Sequence, residues 1–415
     1  MPSLNVQIFI SAVLGLIVGG LISPLGDASG LRTDVLYISG LMGGIFIDLL
    51  KMVLVPLIFS TIVVGVANLQ EHHQIHKVWT RTLAFFVLTM VSAMTVALVA
   101  MNIFHVGEGM HLAMFQDAMA NYEHKKMTPT EFLALFLHQL FQNPFSALAK
   151  GEVLPIVVFA IFLGVALIVG GERYKNVLNL FKEFLDLTMQ MIGWIMRLAP
   201  LGIFALLLKL VATQNVDLLR TLIEFIVLIM GTTLVHGVIV LPLLLYIFTR
   251  KSPLWFWRGA REALITAFAT SSSSATLPVT MRCVQQHLHV RKDIAGFVIP
   301  LGATMNMDGT ALYEAAAALF VANLAGIDLS LGQQLIVFVT AMIASMGAPG
   351  IPSAGMVTMI LVLQSVGLPV EAIAILLPID RLLDTIRTAV NVQGDMISSI
   401  VVQELVVDKA ANQGV

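Results

Sequence analysis

The sequence predicts an all-α, polytopic membrane protein, and three observations carry that expectation. First, the 415-residue chain is 58% apolar and only 12% charged, with a mean hydropathy of +0.92. A water-soluble core of this length has no use for that much apolar surface, whereas lipid-facing helices do. Second, several apolar stretches, among them 8–22, 53–69, 82–104, 156–169 with its flanks and 222–248, suit helices of roughly 20 residues crossing a hydrocarbon layer of ~30 Å. Third, the alternating ten-residue strands of a barrel are absent from the sequence, so helices must satisfy the backbone groups in lipid.

Other classes are set aside on composition. The net charge is −2 and no basic patch is interleaved with aromatics, so nucleic acid is not an expected partner. A single cysteine, Cys283, excludes an internal disulfide and a thiolate metal site. The N-terminus has no Lys/Arg-rich start and no small-residue cleavage site. The first apolar stretch therefore reads as a retained helix rather than a signal peptide.

Six conventional spans are expected near 7–23, 37–68, 79–105, 150–170, 187–213 and 221–249. The fourth closes a longer region, 107–170, which opens with a polar stretch holding Asn121, His124, Lys125 and Lys126. With the N-terminus inside, Lys77, Arg81, Arg173, Lys175, Lys182, Arg250, Lys251, Arg258, Arg261, Arg282, Arg291, Lys292 and Lys409 fall on the inner side. Arg32, Lys125, Lys126, Lys150 and Arg220 fall on the outer side, a ratio of 13 to 5. The excess of positive charge predicts that both termini are cytoplasmic, in a cell inner or plasma membrane.

The last 160 residues are organised differently. Residues 262–285 hold the run Ser271–Ser274 in mid-stretch, followed by Pro278, and a long apolar helix over about 294–326 comes next. A second interrupted segment, 333–366, centres on Gly347-Ala348-Pro349-Gly350-Ile351-Pro352-Ser353-Ala354-Gly355, and another long helix follows over about 371–407. Ser273 precedes Asp308 by 35 residues and Gly350 precedes Asp384 by 34. A weak repeat of Gly/Pro-interrupted segments is the best sequence pointer to a transporter site. Both interrupted segments read as re-entrant hairpins. Their uncovered N–H and C=O groups are tolerable at membrane depth only where they face protein, water or a ligand.

The final helix carries Asp380, Asp384, Arg387, Asn391 and Asp395, with Thr388 at the edge of the group. At 100° per residue these lie within about 80° of arc, so one face of an apolar helix is polar. Intramembrane charges cost ~2.5–3.5 kcal/mol or more each and mark ion or substrate paths. The plain alternative is a salt-bridge network that only holds the bundle together. The preceding helix holds Asn306-Met307-Asp308-Gly309-Thr310, whose carboxylate, amide, hydroxyl and loosened carbonyls are hard oxygen donors suited to an alkali cation. Arg387 can fork onto a carboxylate and Asp384 can take an ammonium group. Asn391 and the serines can hydrogen-bond a second carboxylate. The set suits an acidic amino acid.

At these motifs the sequence resembles the dicarboxylate/amino acid:cation symporter family, which includes the animal excitatory amino acid transporters and archaeal aspartate transporters. The matching signatures are Ser-Ser-Ser-Ser-Ala-Thr-Leu-Pro at 271–278, Asn-Met-Asp-Gly-Thr at 306–310, Gly-Ile-Pro-Ser-Ala-Gly at 350–355 and Asp-Thr-Ile-Arg-Thr-Ala-Val-Asn-Val-Gln-Gly-Asp at 384–395. The resemblance implies eight transmembrane helices plus two re-entrant hairpins in inverted repeats, assembled as a homotrimer in the bilayer. A scaffold (1–78 and 107–220) would hold a transport domain that slides like an elevator. That domain would comprise 79–106, 221–252, the hairpin 253–293, the helix 294–328, the hairpin 329–369, and the helix and tail 370–415.

Carried over by position, the resemblance gives Arg387, with Thr310, the substrate side-chain carboxylate. It gives Asp384 and Thr388 the amino group. Asn391 and Ser273 take the main-chain carboxylate, with backbone help from Ser272, Ile351 and Gly355. It implies one sodium site at Asp395, Gly302, Asn306 and Asn391, a second at Thr304, Ser345, Met346 and Ala348, and a third at Asp308, Asn306 and Thr89. At the third site Phe86 and Met90 stand where the family has a tyrosine and a further hydroxyl. Ser271 and Thr385 stand at the two positions where many members carry a second arginine, which argues against potassium counter-transport. Tyr313-Glu314 resembles the animal subgroup and makes Glu314 a candidate proton carrier, against the alternative of a hydrogen bond inside the bundle.

The function expected is sodium-driven symport of L-glutamate or L-aspartate, with sodium as coupling ion, no cofactor and no enzymatic step. The alternatives are a proton-coupled or C4-dicarboxylate carrier, an anion channel on the same hairpins, and an intramembrane hydrolase. Asp384 and Asp395 speak against the first, and the absence of a Gly-x-Ser-x-Gly elbow speaks against the last. His72 and His76 are spaced for a metal but read as a cytoplasmic loop, and His287 and His289 carry no signal.

Overall fold

The computed structural model describes residues 4–25, 29–67, 76–110, 141–150, 153–213, 216–348, 350 and 352–411. The polar stretch around Asn121 and Lys125, His72 of the pair His72 and His76, and Ile351 lie outside them. Among the described residues all regular structure is helical. The N-terminal half holds α1 (Leu4–Ile22), α2 (Gly30–Ala67), α3 (His76–Phe104), α4 (Pro144–Lys150), α5 (Val153–Gly170), α6 (Lys175–Arg197) and α7 (Ala199–Thr213). It is followed by α8 (Val216–Val235), a π-turn (His236–Val240) and α9 (Leu241–Thr249).

Among the described residues three helices, Gly30–Val64, Val78–Phe104 and Leu218–Thr249, are long and apolar enough to cross a membrane, and the bent pair ending in α7 makes a fourth if it is one span. This is the helical architecture of a polytopic membrane protein. The expected fifth span at 187–213 is corrected. The helix starts at Lys175 and breaks at Leu198, and the axis turns by 51°. Pro200 supplies the reason: it has no N–H for the carbonyl four residues back and crowds the preceding turn. The second span also starts earlier than expected, at Gly30.

Two packing groups are evident. α1 lies along α7, and α2 contacts α5, α6 and α7. Gly15 and Gly19 permit the first contact, since a Cβ at either would come within 2.8 Å of Phe204 O or Leu208 O. That is the small-xxx-small device by which membrane helices approach closely. The second group is built from α3, α8, α9 and the C-terminal elements: α10 (Pro253–Thr270), α11 (Ser273–Arg282), α12 (Lys292–Met305), α13 (Asp308–Ala325), α14 (Leu331–Met346), α15 (Ala354–Ser365) and α16 (Ile373–Ala411).

Helix α13 is the axis of this group, with every residue from Asp308 to Ala322 buried. Its alanines, Ala315 to Ala318, let α3, α14, α15 and α16 crowd around it. From α8, Phe225 stacks on Phe320 with ring centroids 4.1 Å apart.

Both interrupted segments reverse where the small residues lie. After α10, Ser271 is left-handed (φ 50°) and Ser272 extended. The Ser272 hydroxyl accepts from Ala275 N–H at 3.1 Å, capping α11 as serine does at helix starts. α14 opens on a Ser330/Gln333 capping box, and a left-handed Ser353 (φ 58°) leads into α15. The long helix expected at 294–326 is in fact two. It breaks at Asn306-Met307, whose φ/ψ of −107°/75° and −109°/62° leave the helical region, rather than loosening at Gly309. Asp308 therefore opens α13, in a first turn whose free N–H groups favour a carboxylate.

Candidate functional site

The i, i+4, i+7 spacing on α16 brings Asp380, Asp384 and Arg387 together. Arg387 Nη2 donates to Asp380 Oδ1 at 2.6 Å and to Asp384 Oδ1 at 3.0 Å. The guanidinium is 1% exposed and sits over the Tyr313 ring, 4.0 Å from its centroid. An uncompensated charge at such burial costs several kcal/mol, and the two carboxylates offset it. Nε and Nη1 of Arg387 have no protein partner. Nη1 borders Gly355, lying 4.0 Å from where a Cβ on that glycine would be. Asp384 Oδ2 accepts from Ser353 N–H at 2.9 Å and lies 3.6 Å from Arg381 Nη1.

The tips of the two interrupted segments meet at one atom. Gly350 O accepts from the Ser272 hydroxyl at 2.6 Å and from Ser274 N–H at 3.1 Å. Beside this joint is a small polar cavity lined by Ser273, Thr310, Gly355, Asp384, Thr388 and Asn391, together with Ser271, Met307, Gly350 and Ala354. Asn391 spans α13 and α16. Its Oδ1 accepts from Gly309 N–H at 2.7 Å and its Nδ2 donates to Thr310 Oγ1 at 3.3 Å. Gly309 is needed here: a Cβ would lie 2.7 Å from Arg387 O and 2.9 Å from Arg387 Cα.

One layer deeper, oxygens gather around the break between α12 and α13. Asn306 Nδ2 donates to Asp395 Oδ1 at 3.1 Å, and Asn306 Oδ1 accepts from the Thr89 hydroxyl at 3.1 Å. Gly302 backs onto Asp395, whose Oδ1 is 2.4 Å from the place a Cβ would take. Asp308 Oδ2 lies 3.2 Å from His236 Nε2, both side chains fully buried, and Asp308 Oδ1 has no partner. Two buried carboxylates among amide, hydroxyl and carbonyl oxygens form a hard donor set that suits an alkali cation.

The chain matches the model of the sodium:dicarboxylate symporter family over residues 4–405. It belongs to that family. Its relatives include excitatory amino acid transporter 3 of rabbit, 34% identical over 95% of this chain and 84% of that protein. Excitatory amino acid transporter 3 of human is 33% identical over 95% of this chain and 84% of its own length. Excitatory amino acid transporter 2 of mouse is 33% identical over 97% of this chain and 78% of its own. Members of this family are symporters, so the chain is a transporter rather than an enzyme.

Six of the nine expected substrate-site residues line the one cavity: Ser273, Thr310, Gly355, Asp384, Thr388 and Asn391. Arg387 stands behind it, Ser272 is engaged at the joint between the two interrupted segments, and Ile351 lies outside the described residues. Thr89, Gly302, Asn306, Asp308 and Asp395 come together as described. The set Thr304, Ser345, Met346 and Ala348 is looser. Thr304 is exposed and donates to Leu301 O at 3.0 Å. Ser345 is buried, donating to Met342 O at 2.9 Å and lying 3.8 Å from Met90 Sδ. Met346 is half-buried and Ala348 buried. Phe86 and Met90, fully buried, flank Thr89 with no side-chain oxygen, although the Phe86 carbonyl lies 3.0 Å from the Thr89 hydroxyl and accepts from it. Glu314 accepts a hydrogen bond from the Thr358 hydroxyl, and its Oε2 is unpartnered.

Four participants escaped the sequence reading: His236, Arg381, Thr358 and the Ser353 N–H. Arg381 had a readable signal, since it lies three residues before Asp384. The others reach the site only through contacts between elements far apart in the chain.

Proposed function

We propose that this protein is a secondary active symporter that uses a sodium gradient to take up an acidic amino acid, glutamate or aspartate. One observation carries the reading: a buried guanidinium, Arg387, keeps two nitrogens, Nε and Nη1, unpartnered beside a polar cavity whose wall presents Asp384. A substrate carboxylate suits the guanidinium through paired charge-assisted bonds. A substrate ammonium suits Asp384, and Thr388, Ser273 and Asn391 complete the polar lining. Arg387 and Thr310 hold the side-chain carboxylate in this reading, and Asn391 and Ser273 hold the main-chain carboxylate with backbone help from Ser272, Ile351 and Gly355. The relatives' names, excitatory amino acid transporters, support the same substrate class.

Sodium is a second cargo. Asp395, Gly302, Asn306 and Asn391 form one proposed site, Asp308, Asn306 and Thr89 another, and Thr304, Ser345, Met346 and Ala348 a third. Glu314 is the proposed proton carrier, supported by its full burial and its unpartnered Oε2. The two packing groups support a fixed scaffold and a sliding transport domain built on eight transmembrane helices and two re-entrant hairpins. Along α6, Val177, Leu180, Phe184, Leu187, Met191 and Trp194 are all exposed. They recur every three or four residues, as in a seam that helices bury against another copy, which supports the homotrimer. Both termini are proposed to be cytoplasmic.

Radiolabelled uptake into proteoliposomes tests the reading, with sodium, proton and potassium gradients varied one at a time. Uptake of aspartate or glutamate is expected to fall to background without sodium and to be indifferent to potassium. Asp395→Asn should raise the sodium needed for half-maximal uptake at least ten-fold, because even a lost outer partner of a metal ligand costs ~10–100-fold. Sodium-independent uptake, or a variant with an unchanged sodium response, would reject the assignment. Competition by a four-carbon dicarboxylate lacking the amino group separates the dicarboxylate reading, in which Asp384 has no role.

A further inference from the structure

The geometry points to His236 as a positioning residue for the deeper cation site, acting through Asp308. Nothing in the sequence around His236 singles it out: it is one histidine in the apolar run Thr-Leu-Val-His-Gly-Val-Ile-Val. Its place in the fold does. The imidazole is 0% exposed and its Nε2 lies 3.2 Å from Asp308 Oδ2, also 0% exposed, from a helix 72 residues away in sequence. A carboxylate only accepts, so the tautomer that satisfies the pair carries its proton on Nε2. That bond fixes one carboxylate oxygen and leaves the other, Oδ1, without a protein partner. Ligands of metal ions are commonly oriented by such outer hydrogen bonds.

A space-filling role explains less. His236 Nδ1 is buried with no partner, a cost that an apolar side chain of similar size would avoid. The residue also opens the π-turn His236–Val240, an irregularity that concentrates at functional sites. The turn is fastened to α16 as well. Gln393 Nε2 donates to Gly237 O at 2.6 Å, and a Cβ on Gly237 would come within 2.9 Å of Val390 Cγ2. Gln393 stands two residues before Asp395. One π-turn thus ties Asp308 on α13 to the stretch of α16 that bears Asp395, and so sets the separation of the two carboxylates.

This inference rests on Asp308 being a cation ligand, and the experiment keeps the two ideas distinguishable. The full chain in lipid nanodiscs is titrated with L-aspartate by calorimetry at a series of sodium concentrations. His236→Leu should raise the sodium concentration for half-saturation roughly ten-fold or more and leave aspartate affinity at saturating sodium near that of the unaltered chain. His236→Gln, whose amide nitrogen falls near Nε2, should restore most of the sodium response. His236→Asn, whose nitrogen falls near Nδ1, should behave like His236→Leu. In an Asp308→Asn background, His236→Leu should add nothing. Equal shifts in Gln and Leu, or a Leu shift that persists with Asp308→Asn, would overturn the role of His236 alone, as would an unshifted His236 series beside a sodium-blind Asp308→Asn. An Asp308→Asn variant with an unaltered sodium response would remove the cation reading and this inference together.

Discussion

Arg387→Ala is expected to abolish tight binding of aspartate and glutamate while leaving room for neutral amino acids. In the proposed mode the unpartnered Nε and Nη1 take a substrate carboxylate, and two charge-assisted bonds at ~1.5–3 kcal/mol each correspond to a loss of about 10²–10⁴ in affinity. The substitution also strips Asp380 and Asp384 of their shared cation, and the buried pair of acids then favours whatever ammonium group enters. A neutral amino acid brings that group without a second carboxylate. Calorimetry with aspartate and with serine, at saturating sodium, reads both effects in one preparation. Retained binding of serine shows that the variant is folded. Undiminished aspartate affinity would remove Arg387 from the substrate site.

Gly309→Ala is expected to silence uptake completely. Its Cβ would lie 2.7 Å and 2.9 Å from backbone atoms of Arg387, and backbone cannot rotate aside as a side chain can. α13 and α16 must separate, at a cost typical of overpacking, ~1–3 kcal/mol. The loss of function is larger than that figure suggests, because the same crossing holds Gly309 N–H on Asn391 Oδ1 and Asn391 Nδ2 on Thr310 Oγ1. Gly296→Ala on α12 is the matched control, with no atom within 4 Å of its added carbon, and should transport normally. Normal sodium-dependent aspartate binding by Gly309→Ala would show that the close crossing is incidental.

Much of this arrangement was legible in the sequence, for reasons that differ by residue. The α16 stripe could be read because helical periodicity alone places Asp380, Asp384 and Arg387 on one face. The chain reversals could be read because serines, glycines and prolines in an apolar chain have few other uses. The break in the long helix was legible in kind but misplaced, since Gly309 looked like the weak point whereas Asn306 and Met307 leave the helix. The α6–α7 bend was hidden by hydropathy that continues through Pro200. His236 was illegible because its meaning lies in Asp308, 72 residues on, and the bond between Ser272 and Gly350 bridges 78 residues. Patterning within one helix announces itself, whereas pairing between distant segments depends on the packing that the whole chain reaches.

The carbonyl of Gly350 latches together the tips of the two interrupted segments. Because Ser272 and Ser274 both hang on that single oxygen, retreat of either tip severs the same pair of bonds. Part of the barrier to unlatching is therefore identical whichever tip moves. A change that loosens the latch, such as Ser272→Ala, should make the carrier leakier in both directions by the same factor, and tracer efflux should rise in step with influx.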